Sequence, residues 1–145
     1  MNILAIGAHP DDIEIGCGGS LIKYREKGDN VFLLVMTCGE SGGDGEARCY
    51  EQKESLKILQ AEELFWGGHS DTNLLLDQRL ISNIENVLHK VKPDFIFVNY
   101  FDDTHQDHRN LAKATISATR YIKNVLFYEV PYNVSDSVYP TQSEV

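Results

Sequence analysis

Five short apolar runs, continuous rather than alternating, set the narrowest limits on what this chain can fold into. They lie at Asn2–Gly7, Val31–Thr37, Glu63–Trp66, Phe95–Tyr100 and Val125–Val130, and they are rich in β-branched residues. A strand with one wet face alternates apolar with polar residues; a strand covered on both faces has no need to. The segments between them carry helical spacing. Ile13–Lys27 places Ile15, Leu21, Ile22 and Tyr24 on one side, and Ala47–Ala61 carries Leu56, Ile58 and Leu59. Leu80, Ile84, Val87, Leu88 and Val91 make one stripe, and Leu111, Ala112, Ile116 and Ala118 make another. Strands alternating with helices predict an α/β domain, with a parallel five-stranded sheet and right-handed crossovers that put helices on both faces. Gly28-Asp29-Asn30 and Lys92-Pro93-Asp94 supply the expected helix stops.

The 145 residues suit one domain, read here as 1–134, followed by a polar, aperiodic tail or truncated segment at 135–145. A chain of this size buries roughly 68–70% of its unfolded surface and needs no disulfide to stand alone. A net charge of −9 argues against nucleic acid or an anionic membrane surface as partner. Cys17, Cys38 and Cys49 are odd in number and lack C-x-x-C spacing, so free thiols in a reducing compartment are expected. Cys17 is read as a small buried residue rather than a soft metal ligand. The first residues show no leader pattern and no run is long enough to span a bilayer, so a cytoplasmic protein is the expectation. Without a secretion signal, the sequon Asn133-Val134-Ser135 reads as chance.

The chemistry-bearing residues fall in two clusters that follow strands. Ala8-His9-Pro10-Asp11-Asp12 follows the first run, and His105-Gln106-Asp107-His108, preceded by Asp102-Asp103, follows the fourth. Ligands of open parallel sheets bind beyond the carboxyl ends of the strands. If the two strands are neighbours, imidazoles and carboxylates converge there, a mixture that suits a divalent transition metal, zinc first. Pro10 favours an extended His9. A turn into the first helix would aim His9 and Asp12 at one ion and leave Asp11 beside it. Helix capping by Asp11 and Asp12 is the competing reading. His105 and His108 share a helical face if a helix starts near them; solvated loop histidines are the alternative. Such a set supports metal-assisted hydrolysis of an amide or ester, with a carboxylate as base and a free histidine polarising a carbonyl oxygen. The Gly-rich stretch Gly39–Gly45 follows the second strand and so borders the same edge.

These residues, in this order, resemble the LmbE/PIG-L family of zinc-dependent N-acetylglucosamine deacetylases. The match takes in Ala8-His9-Pro10-Asp11-Asp12, Glu14, Gly18-Gly19, Thr37, Gly39-Glu40, Arg48, Glu51, Asp71 and the His-x-Asp-His at 105–108. The resemblance implies a Rossmann-like sheet, with expected order 3-2-1-4-5. It implies His9, Asp12 and His108 as ligands of Zn2+, with Fe2+ as another divalent ion of the right kind. It implies Asp11 as general base for a metal-activated water, His105 as oxyanion donor and Asp107 as the group orienting a histidine. Arg48 and Asp71 match positions that contact the sugar, and the substrate would be an N-acetylated amino sugar in a small molecule or glycoconjugate.

Two departures qualify the match. Asp102-Asp103-Thr104 stand before His105 where relatives often line the pocket differently, and relatives commonly continue past the fifth strand. An open pocket, low activity and a self-association contact at its mouth that makes a homo-oligomer are therefore expected. A metal-binding but catalytically silent fragment of the same fold is the runner-up. A receiver-like signalling module ranks below both, because Val130-Pro131-Tyr132 supplies no Lys after the fifth strand.

Overall fold

The computed structural model describes residues 1–131. The expected tail at 135–145 and the sequon at Asn133 lie outside the described residues. The elements run β1 (Asn2–Gly7), α1 (Asp12–Glu26), β2 (Asn30–Val35), α2 (Gly45–Ile58), β3 (Glu63–Trp66), α3 (Gln78–Val91), β4 (Phe95–Asn99), α4 (Gln106–Ala118) and β5 (Val125–Tyr128), with a short 3-10 turn at Glu40–Gly42. All strand pairs are parallel and the order is β3-β2-β1-β4-β5, as expected. β1 is therefore central: Ile6 stands opposite Leu34 on one side and Val98 on the other.

Successive strand residues face opposite layers, so β1 feeds two cores. Ile3 and Ala5 pack with Ile13, Cys17 and Leu21 of α1 and with Leu59 at the end of α2. Leu4 and Ile6 pack with Leu80, Ile84, Val87 and Val91 of α3 and with Leu111, Ala114 and Ala118 of α4. The α3 stripe matches its sequence pattern. The α1 pattern does not: Ile15 is 58% exposed and Ile22 41%, while Ile13, Cys17 and Leu21 form the buried line. In α2, Ile58 is 76% exposed and the buried side chain is Gln52. In α4, Ile116 also points outward.

β5 closes the sheet through Tyr128, whose hydroxyl donates to the Ile6 carbonyl at 2.7 Å. Its ring fills a notch left by Gly16 on α1; a β carbon at Gly16 would collide with that ring. The cysteines correct the expectation of three free thiols. Cys38 and Cys49 form a disulfide with Cα atoms 5.3 Å apart, while Cys17 is free and buried. The turn at Glu40–Gly42 lets α2 return to the segment that follows β2, where Arg48 also donates to Gly39 O, a proximity that spacing along the chain does not reveal. Burial, aided by Glu14, pushes the Cys17 thiol up to about 12, in keeping with a packing role. Among the described residues no helix is long and apolar enough to cross a membrane.

Candidate metal and catalytic site

The site forms where β1 and β4 end side by side. Asn99, the last residue of β4, accepts from the Ala8 backbone N–H through Oδ1 at 3.0 Å. Its Nδ2 donates to Asp12 Oδ2 at 3.4 Å, and the same carboxylate oxygen accepts from the His9 N–H at 2.9 Å. Asp12 is thus turned inward across the sheet. Asp11, at the N-cap position, adopts a left-handed backbone (φ 77°, ψ −20°), makes no side-chain cap bond and is exposed. The capping reading therefore fails for Asp11.

On the other strand, His105 caps α4. Its Nδ1 accepts from the Asp107 N–H at 3.1 Å. One turn on, His108 Nε2 lies 3.2 Å from Asp12 Oδ2 and its Nδ1 lies 3.3 Å from Asp103 Oδ1. The His9 and His105 rings are 4.7 Å apart, and His105 stacks on His108 at 4.8 Å. The helix beginning at Gln106 is what gives the two histidines a common face, as their spacing suggests.

His9 Nε2 is held between Asp107 Oδ2 at 2.8 Å and Asp71 Oδ1 at 2.9 Å. Asp107 is wholly buried, and it is fixed in turn by the N–H groups of Thr72 at 2.8 Å and Leu74 at 3.1 Å. Asp71 also accepts from Ser41 N–H, and its own N–H donates to Glu40. The loop after β3 and the turn after β2 are thereby stitched to the histidine. Arg48 is engaged inside the protein, donating to Gly39 O at 2.7 Å and Pro10 O at 3.2 Å. Of the residues expected in the site, the structure gathers His9, Asp12, His105, Asp107, His108 and Asp71 into one cluster. It seats Asp11 next to them in the chain and Arg48 against the Pro10 carbonyl.

The local electrostatics follow from burial and pairing. Burial alone would raise the Asp12 carboxyl, but His108 and His9 hold it well below the usual carboxylate range. Burial would lower His108; Asp103 and Asp12 outweigh that and hold it up at about 9. His9 is raised against burial by Asp12, Asp107 and Asp71. His105 is lowered, first by burial and then by His9 and His108. A neutral His105 whose Nδ1 accepts a backbone N–H must carry its proton on Nε2.

His9, Asp12 and His108 are all buried, and one donor atom from each lies within 4.8 Å of the others. The ring nitrogens of His108 make no aligned hydrogen bond among the described residues, despite the carboxylates beside them. A buried ring nitrogen with no aligned hydrogen bond is a place for a cation shared with Asp12 and His9. The donor set fits a divalent transition metal. His9, His105 and Asp107 form a second, overlapping group. A separate cavity of about 250 Å³, lined by Met36, Trp66, Lys53, His69 and the disulfide, contains none of these donors.

Sequence reasoning missed Asn99 and Gln52 altogether and left Asp103 without a role. Their parts depend on which strands and helices become neighbours, and no local motif marks them.

A family profile described as PIG-L, GlcNAc-PI de-N-acetylase, matches residues 4–119. The chain is 39% identical over 136 residues to the uncharacterized deacetylase YaiS of Escherichia coli K12, covering 89% of this chain and 74% of that protein. It is 30% identical over 133 residues to the diacetylchitobiose deacetylase of Thermococcus kodakarensis, covering 82% of this chain and 49% of that one. Among solved structures, the conserved protein TT1542 of Thermus thermophilus superposes with TM-score 0.83 at 25% identity, over 90% of this chain and 67% of that one. The N,N'-diacetylchitobiose deacetylase of Pyrococcus horikoshii gives 0.78 at 27%, over 83% of this chain and 49% of that one. The chain thus spans about half the length of the two diacetylchitobiose deacetylases.

Proposed function

From the premise that the chain belongs to the PIG-L family, we propose that it hydrolyses the acetamide of an N-acetylglucosamine-containing small molecule or glycoconjugate, with zinc as its ion. The observation that carries this reading is the buried His9–Asp12–His108 group with His105 beside it, where β1 and β4 end. When bound there, a divalent ion supplies Lewis-acid polarisation of a carbonyl and acidifies a water; Fe2+ would suit the same donors.

The chain's own residues supply the rest. Asp11 is exposed and stands next to a proposed ligand, so it is assigned the proton from the attacking water. His105 carries its proton on Nε2, which suits donation to the oxyanion and then to the departing amine. Asp107 holds His9 through Nε2 and leaves Nδ1 on the side of Asp12, 3.5 Å away.

The test is acetate release from a panel of N-acetylglucosamine conjugates, with metal content measured in parallel. Acetate should appear, vanish with chelator and return with added zinc. His108→Ala should lose most of the bound metal. Equal metal in parent and variant, or no acetate from any conjugate, would overturn the proposal.

A further inference from the structure

The residue assigned as base sits in a backbone conformation that side-chain-bearing residues rarely adopt. Something must hold it there. The peptide unit joining Pro10 to Asp11 is gripped at both ends by α2. Arg48 donates to its carbonyl at 3.2 Å, and Gln52 Oε1 accepts from its N–H at 3.3 Å. Residues four apart share a helical face, so one turn of α2 reads one peptide plane.

The grip is itself braced. Gln52 is 2% exposed, and its Nε2 donates to Glu14 on α1 at 2.6 Å. The orientation of that amide is unambiguous, because the Asp11 N–H can only donate and the Glu14 carboxylate accepts. Ser55, one turn further along α2, donates to the same Glu14 oxygen at 2.8 Å. Arg48 rests on Gly39, where a β carbon would collide with the guanidinium. Cys49, next to Arg48, is tied to Cys38 by the disulfide.

We propose that Gln52 and Arg48 are positioning residues, which clamp the Pro10–Asp11 peptide and so keep Asp11 in its left-handed conformation as a base. This inference rests on the reading of Asp11 as the base. It differs from the sugar-contacting role that the family resemblance implies for Arg48.

Gln52→Met keeps the side chain's length and removes the acceptor. Its kcat should fall about 10²-fold, the scale of a small misplacement of a reacting group, with KM and metal content unchanged. In an Asp11→Asn background the same substitution should cost nothing further, because it acts through Asp11. Arg48→Met, which frees the other end of the same peptide, should also lower kcat at constant KM and serves if Gln52→Met fails to fold. A full additional fall in the Asp11→Asn background would overturn the clamp, as would a rise in KM alone for Arg48→Met. Amide exchange and backbone φ of Asp11, measured by NMR, need no activity. In Gln52→Met the Asp11 amide should lose protection and the left-handed φ should relax. If both persist, the clamp is wrong even where kcat falls. If the parent releases no acetate while the NMR changes appear, the clamp stands and the functional reading has failed.

Discussion

Two carboxylates adjacent in sequence, Asp11 and Asp12, occupy opposite environments. Asp12 is buried among histidines, and Asp11 is exposed with its backbone turned the other way. Substitution should separate them. Asp11→Asn should keep the metal and lose most of kcat, since a base and not a ligand is removed, whereas Asp12→Asn should lose the metal. His105→Ala should keep the metal and lose about 10²–10³ in kcat, the cost of an oxyanion donor. Near-parent turnover by Asp11→Asn would remove that residue from the mechanism. The titrations give a second prediction, for protein stripped of metal. His108 is raised from 6.5 to about 9 on folding, so the stability it contributes is full below about pH 6.5 and is lost as pH rises through 9. Asp12 is depressed, so its contribution is present above its ordinary value of 3.8 and is lost as pH falls towards its folded value. These two groups together hold stability level between about pH 4 and 6.5 and let it decline towards 9, while His105, lowered on folding, acts oppositely and its share is lost as pH falls below 6.5. Saturating zinc should offset the alkaline decline, because the ion takes the place of the His108 proton. Denaturant midpoints across that range, with and without zinc, check both signs. Both motifs were legible in the sequence because each is a local string after a strand. Asn99, Asp103 and Gln52 were not, because each acts on a residue far away in the chain or on a turn that only the fold creates.

At the scale of elements, legibility followed how a segment is covered. The central strands, wrapped on both faces, read as unbroken apolar runs; β5 carried the same signal although Leu126 and Phe127 of this edge strand are exposed. α1 misled because two glycines and a cysteine, Gly16, Cys17 and Gly18, stand where an apolar stripe would show, while Ile15 and Ile22 face outward. The absence of bulk is the structural signal, for Gly16 makes the notch that admits Tyr128. Gly16→Ala should therefore destabilise the protein by roughly 1–3 kcal/mol, the usual cost of overpacking, although alanine is the better helix former. Urea unfolding should show a lower midpoint. If the variant were as stable as the parent, the ring would not be seated as described. Tyr128→Ala combined with Gly16→Ala should cost less than the sum of the two, since removing the ring removes the collision.

The whole molecule is a sheet with its first strand at the centre, stapled near its site by one disulfide. Closing a loop with a sequence separation of 11 should stabilise the chain by roughly 2–4 kcal/mol, mainly by restricting the unfolded state. A dithiol should lower the melting temperature of the parent and leave a Cys38→Ser/Cys49→Ser variant unmoved; equal melting of the parent with and without reductant would discount the staple. The central place of β1 also matters while the chain is being made. Synthesis runs from β1 through β2 and β3 before Phe95–Asn99 exist, so until β4 emerges one long side of Ile3–Ile6 has no partner strand. A parallel edge of that composition adheres to other chains. Ribosomes stalled ahead of β4 should carry nascent chains that recruit holdase chaperones, and those chains should be released once β4 and α4 emerge to cover the edge.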